Sequence, residues 1–408
     1  MKKVAIIGAG ASGLMCAIIC AKNSLLVDLF EQNEKCAKKI LVSGNGRCNI
    51  TNTHSCVHDF FSDNPSFVES VLKNFTYPEF EKFTSEIGLL LDVKEDGRVY
   101  PLSNEAKSVA LILQDYAKSL GVVFHTATKI SAIEYTNNTF TLQSKEKSFT
   151  NYSHLVVATG SEAASHLGGN DDGHTFAKLF KHTIVPTYPS LVQLHLNSSI
   201  HSKISGVKVD AEVTLLLNSK KELSSKGDVL FTNYGVSGFA ILDISQRVSV
   251  ALMNYECVDI VINLLPKFSA QKLSSHLQKL AQNLPTLTLL DALAGLLPIK
   301  IANVMLQSME IAPQTQLKLI NTKTAKKIAN TLQNWKFEVT DTHGFRHAEV
   351  SGGGVNTTEV DPKSMQSLKQ KNLYFCGEVL DVVGRRGGFN FAFAWASGYT
   401  AAKSIVNS

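Results

Sequence analysis

Val4-Ala5-Ile6-Ile7-Gly8-Ala9-Gly10-Ala11-Ser12-Gly13 decides the fold. The four apolar residues at its start read as a buried parallel strand. They run into a G-x-G-x-x-G turn, and Leu14 to Lys22 then has helical spacing. A second apolar strand, Leu25 to Phe30, ends at Glu31. Each part has a task in gripping a dinucleotide. Gly8 permits the tight turn, Gly10 admits a pyrophosphate against the backbone, and Gly13 lets the helix close on the strand. Ala9, Ala11 and Ser12 complete a loop whose helix N-terminus turns unpaired N–H groups and a partial positive charge toward phosphates. Glu31, eighteen residues after Gly13 and followed by Gln32, is placed to accept both hydroxyls of an adenosine ribose. An acid there disfavours a 2′-phosphate, so NADP is not expected in this site. The pattern alone leaves NAD and FAD both open.

Working outward, 408 residues with 44% apolar and 18% charged side chains allow two or three domains and exclude a disordered or collagen-like chain. Forty basic and thirty-five acidic side chains leave +5, and the basic pairs at 38–39, 220–221, 326–327 and 385–386 are scattered. So weak a surplus gives no expectation of nucleic acid or of a membrane as partner. Seven cysteines without a C-x-x-C argue against a disulfide scaffold and a dithiol relay, and the expected location is the reducing cytoplasm. The uncharged run from Val4 to Ala21 imitates a signal peptide, but three glycines interrupt it and no clean cleavage site follows. Neither secretion nor a membrane span is expected. The oligomeric state is not legible.

Three later segments bear on the cofactor. Lys39 to Asn52, with Ser43-Gly44-Asn45-Gly46-Arg47-Cys48-Asn49 at its centre, can wrap a polar ligand with backbone amides. Leu155 to Gly160 is an apolar strand ending in the turn Ala158-Thr159-Gly160. Leu373 to Cys376 reads as a strand, Gly377-Glu378 as its turn, and Gly384-Arg385-Arg386-Gly387-Gly388 precedes a long apolar helix from about Asn390 to Val406. Taken with Gly97 to Ser103, Phe231 to Gly238 and Gly352-Gly353-Gly354-Val355, these motifs make the chain similar, over nearly its whole length, to the bacterial BaiN/YhiN-like family. These are FAD-dependent oxidoreductases, also called aminoacetone-oxidase-like, within the two-dinucleotide-binding-domain flavoproteins.

The resemblance implies FAD. Gly8 to Gly13 with Glu31 and Gln32 would hold its ADP half. Ser43, Gly46, Arg47, Cys48 and Asn49 would lie along the pyrophosphate and flavin, and Ile130, near the end of a strand region from Val122, would touch adenine. Ala158, Thr159 and Gly160 would pack on the cofactor, Gly377 and Glu378 would meet the ribityl chain and pyrophosphate, and Gly388, Phe389 and Asn390 would face the pyrimidine edge of the flavin. A helix N-terminus aimed there stabilises the reduced anion. Two departures from the family pattern, Ser161 to His166 and Phe239 after Gly238, bear on the active-site lining from 161 to 173.

The implied fold is α/β, a Rossmann-like FAD-binding domain at 1–187 and 343–408 with an inserted substrate domain at 188–342, part mixed β-barrel and part helical. Val209–Leu217, Val229–Thr232 and Ile241–Val250 read as its strands, and 269–334 as helical with Ser269 and Thr286 as caps. Phe67 to Gly88 reads as helix. The flavin is expected at the junction, where pockets concentrate. Candidates for chemistry are Cys48, His343, Arg346 and His347, and Arg385-Arg386 is a candidate anion clamp. His54, Cys56, His58 and the H-x₃-H pair 343/347 lack a partnering C-x-x-C, so no metal is expected. Phe389, Phe391, Phe393 and Trp395 read as core. The expected activity is hydride transfer through flavin N5 on a small organic substrate. No second fingerprint is present, so NAD(P)H would act as a transient reductant, or O₂ or a quinone would close the cycle. The alternatives are a flavin-dependent RNA-modifying protein and a non-catalytic flavin redox sensor.

Overall fold

The computed structural model describes residues 2–408. The chain forms two compact units, 1–188 with 349–408 and 189–348. His343, Arg346 and His347 therefore belong to the inserted unit, two to six residues before the chain returns to the first.

The first unit is built on a parallel sheet in the order Leu373–Phe375, His154–Val157, Lys3–Ile7, Leu26–Phe30, Val123–His125. The helix Ala11–Lys22 follows the first strand directly and buries every residue from Ser12 to Ala21. That burial accounts for the uncharged run: both faces of this segment are covered, the condition under which α/β segments lose polar alternation. The C-terminal helix Phe389–Asn407 packs on it, closely enough that a side chain at Gly398 would stand 2.3 Å from the Ser12 carbonyl oxygen.

Two expectations change here. The strand region from Val122 divides into Val123–His125, at the sheet edge, and Ile130–Thr136, which opens a separate three-stranded sheet with buried Ile130 at its start. The helix expected over 67–88 is two helices, Pro65–Asn74 and Tyr77–Glu86. Thr76 restarts it, its backbone N–H and hydroxyl both donating to Glu79 (2.5 and 2.8 Å) in a capping box, with Pro78 in the first turn.

The inserted unit is a closed barrel of six antiparallel strands: Leu194–Leu196, Gly235–Ser237, Lys220–Phe231, Lys208–Leu217, Val258–Asn263 and Trp335–Thr342. Ala211, Val213, Leu215 and Leu217 alternate into its core. The stretch 241–250 is helix, not strand, part of Phe239–Met253, which packs against the barrel strands. Its β-branched content suggested a strand, but Ile241, Ile244, Ser245 and Val248 are buried at the three- and four-residue spacing of one helix face. Helices then fill 270–333, as expected. Ser269 caps the first of them, its Oγ accepting from Lys272 N (3.2 Å). The second cap is Thr288, not Thr286: Thr288 pairs reciprocally with Asp291, an acid that Thr286 lacks at that spacing. Among the described residues, no helix is long and apolar enough to cross a membrane.

Candidate functional site

The glycine turn is closed on itself on one side and open on the other. A Cβ on Gly13 would stand 1.9 Å from the Gly8 carbonyl oxygen, and one on Gly8, at φ +105°, would stand 2.3 Å from the Ala158 carbonyl oxygen. Strand, helix and the Ala158-Thr159-Gly160 turn therefore meet without room for a methyl group. At Gly10 no heavy atom lies within 4 Å of the same position, and Gly160 is equally open. The helix that starts at Ala11 has no side-chain cap and no acid in its first turn. An uncapped N-terminus beside an open glycine is the arrangement that accepts a phosphate.

Around this turn the sequence-predicted residues converge. Glu31 Oε2 accepts from Ala9 N (3.2 Å), and its Oε1 accepts from Asn33 N and Nδ2 (2.9 and 2.7 Å). A carboxylate has about four acceptor positions, so the three protein donors leave about one of them open. The Gln32 amide donates to the Gly168 carbonyl (2.6 Å), so it braces the 161–173 segment. Thr128 N donates to the Glu31 carbonyl (2.9 Å), which brings the chain leading to Ile130 beside the acid. Gly377, at φ +75°, abuts Ser12. Glu378 is a hub: Lys39 Nζ (2.8 Å), the Ser161 hydroxyl (2.5 Å) and Ser351 N (2.9 Å) all donate to it. Ser161, one of the departures from the family pattern, is thus built into this network.

The helix from Lys38 breaks at Ser43, and Gly44, Asn45, Gly46 and Cys48 take positive φ of 56°, 57°, 81° and 60°. Three successive left-handed residues, then right-handed Arg47 and left-handed Cys48, make a tight turn of the kind that can present backbone N–H groups to an anion. The Arg47 guanidinium lies over the Tyr100 ring (5.5 Å). Asn49 Oδ1 is buried with no hydrogen-bond partner, and it would stand 3.0 Å from a Cβ on Gly388. The loop and the start of the C-terminal helix are therefore neighbours, and Asn52 Nδ2 donates to the Gly387 carbonyl (3.0 Å). That helix also begins without a side-chain cap or an acid. The Asn390 amide is committed within the protein, bonding Gly384 N and O at 2.8 Å each. Its side chain shapes the loop, and the helix N–H groups remain as the polar feature there. Two uncapped helix N-termini, an open glycine and an orphaned buried carbonyl oxygen fit the dinucleotide that the motif implies.

Two candidates, Cys48 and Arg385, have structural roles instead. Burial pushes the Cys48 thiol up to about 11, so it is protonated near neutral pH and packs as a small apolar group. Arg385 is engaged by the buried Asp59 through Nη2 (2.6 Å) and Nε (2.7 Å) and lies 4.7 Å over Phe389. It anchors the loop rather than clamping a ligand. Phe389, Phe393 and Trp395 are core, as expected, with Phe391 stacked on Trp395.

In the inserted unit His343 joins its sequence partner His347 with two residues that the sequence did not connect to it, His195 and Tyr234. Its Nδ1 lies 2.8 Å from His195 Nε2, Tyr234 stacks on it at 4.0 Å, and His347 lies at 4.1 Å. Burial, then the charges of His347 and His195, hold its imidazole below the usual range, so the neutral ring prevails at pH 7. His195 was hidden because it alternates with Leu194 and Leu196 as an ordinary strand residue. Arg346 is exposed.

One carboxyl outside the predicted set stands out. Asp381 is 6% exposed and pushed up to about 6, by burial first and then by Asp63. A raised carboxyl stabilises the fold fully below its unfolded value and loses that contribution as pH rises through about 6. Asp381→Asn is therefore expected to be more stable than the parent at pH 8, by about 3 kcal/mol at most, with the gain gone near pH 4. Thermal melts at the two pH values check this.

The HI0933-like protein Rossmann domain model matches residues 2–404. The chain belongs to the HI0933-like family. This family member is a flavoprotein oxidoreductase of Rossmann type by that match and by its relatives. It is 31% identical over 408 residues to the 3-dehydro-bile acid delta(4,6)-reductase of Clostridium scindens, covering 100% of this chain and 99% of that one. It is 32% identical to the ribosomal RNA dihydrouridine synthase of Haemophilus influenzae, covering 98% and 97%. Among solved structures, 3-ketosteroid delta1-dehydrogenase from Sterolibacterium denitrificans shares the fold over 100% of both chains, at TM-score 0.52 and 11% identity.

Proposed function

We propose that this HI0933-like protein holds FAD in its Rossmann unit and reduces a carbon–carbon double bond conjugated to a carbonyl. The observation that carries the reading is the turn at Gly8 to Gly13, packed shut behind and open at Gly10 in front of an uncapped helix. Bound FAD would supply a hydride from N5 to one carbon of the double bond, having received it from NAD(P)H, while a proton adds to the other carbon. The protein's part is to bind and orient. Backbone N–H groups at Ala11–Gly13 and at the start of the C-terminal helix offer fixed positive dipoles. Glu378, held by Lys39, Ser161 and Ser351, fixes the turn after the strand Leu373–Phe375.

The relatives support the bond type. The Clostridium scindens reductase is named for double bonds in a 3-dehydro-bile acid, and the Haemophilus influenzae synthase for a dihydrouridine product. Both names describe hydrogen added across such a bond, once in a small molecule and once in RNA. The buried Cys48 thiol, pushed up by burial, gives a thiol-based sensor role no support. The test is anaerobic: NADH or NADPH is added to the flavin-loaded protein, and an unsaturated 3-ketosteroid or a uridine-containing stem–loop RNA follows. Bleaching by one nicotinamide and reoxidation by one acceptor is expected. A flavin that bleaches but is reoxidised only by O₂ would contradict the ene-reductase reading.

A further inference from the structure

The net charge that is scattered along the sequence is collected by the fold. Residues 189–348 carry sixteen basic and eleven acidic side chains, and the other unit carries twenty-four of each. The whole +5 therefore sits on the inserted unit. It narrows further to 264–334, where eight lysines face two carboxylates, Asp291 and Glu310. All eight lysines are exposed. Three of the five lysines on the barrel strands are paired, Lys208 with Asp228, Lys226 with Glu212 and Lys336 with Asp259. Among the described residues, no carboxylate lies within ion-pairing distance of any of the eight.

Five of them lie on two helices that pack on each other: Lys272 and Lys279 on Ala270–Asn283, and Lys323, Lys326 and Lys327 on Thr322–Gln333. Leu273 and Leu277 of one helix and Ala325, Ile328, Ala329 and Leu332 of the other are buried. Every exposed position on both is Lys, Gln, Asn, Ser, Thr or His. Lys323, Lys326 and Lys327 share one face at three- and four-residue spacing, where like charges repel. A helix pair gains nothing in its own stability from such a face. Ammonium groups interleaved with amides and hydroxyls are what contacts to a sugar–phosphate backbone use. An interfacial membrane helix needs large apolar side chains on its buried face, and the exposed positions here have none.

We propose that the exposed face of helices Ala270–Asn283 and Thr322–Gln333 docks the phosphate backbone of a structured RNA. It deepens the reductase reading by naming RNA as the carrier of the reducible bond. The test is fluorescence anisotropy of a labelled stem–loop RNA with the FAD-loaded protein across a salt series. The variant K272E/K279E/K323E/K326E is expected to bind at least tenfold more weakly, with the slope of log affinity against log salt shallower by about 3 for four lost phosphate contacts. The control K208E/K226E, on the barrel, is expected to bind as the parent does. Absence of RNA binding by the parent overturns the inference, as does undiminished binding by the quadruple variant. So does binding of phosphatidylglycerol vesicles in place of RNA. The flavin bleaches or fails to bleach with NAD(P)H independently of these results, so failure of the docking face and failure of the reductase reading are separately visible.

Discussion

Gly13→Val is expected to yield protein without flavin and with a damaged first unit. The new side chain starts 1.9 Å from the Gly8 carbonyl oxygen and 3.4 Å from Ala158 Cβ. None of these atoms is the end of a flexible side chain, so the strand–helix pair itself must separate. Overpacking of a rigid core costs about 1–3 kcal/mol, and a backbone collision lies at or above the top of that range. The loss is amplified because the same helix N-terminus has to meet the phosphates. Gly10→Val is the informative partner. Gly10 has an extended backbone, φ −84° and ψ −165°, which any residue adopts, and no atom lies within 4 Å of its Cβ position. Its apo form is expected to melt with the parent, while its FAD affinity falls by at least about tenfold, or 1.4 kcal/mol. Melting curves with flavin titration check both, and a Gly10→Val protein that binds FAD normally would place the pyrophosphate elsewhere.

The second large effect is expected at Trp395, in the core of the first unit. The indole is 1% exposed, stacks on Phe80 at 5.7 Å, and donates from Nε1 to the Ile50 carbonyl at 2.8 Å. That bond ties the C-terminal helix to the end of the 43–52 loop. Trp395→Ala removes the ring, at about 3–5 kcal/mol, and orphans a buried carbonyl, at about 1 kcal/mol or more. A fall of roughly 10 °C in the melting temperature of the apo protein is expected for a unit of this size. Trp395→Phe keeps most of the packing and loses the N–H, so it is expected to fall between. Equal stability of the parent and the alanine variant would contradict the packing described here.

The Rossmann start was legible because its constraints are local. Gly8, Gly13, the strand Lys3–Ile7 and Glu31 lie within one supersecondary unit, and their spacing is set by backbone geometry. The long C-terminal helix and the cap at Ser269 were legible for the same reason. The helix Phe239–Met253 was not, because it packs against barrel strands and its β-branched residues match a strand as well as a helix face. The pairing of His195 with His343 spans 148 residues and leaves no periodic trace. Arg385 looked like a ligand clamp until Asp59, 326 positions away, was seen to hold it. The basic face was invisible for a related reason: single lysines spread over 264–334 make no run, and only the packing of two helices gathers them.

The central claim is that this HI0933-like chain is built around FAD, and the most direct measurement is the visible spectrum of the purified protein before and after reconstitution with FAD. The account predicts a flavin spectrum, with saturation at one FAD per chain and the same chromophore released on denaturation. A chain that stays colourless after reconstitution, while its melting curve shows it folded, would contradict it.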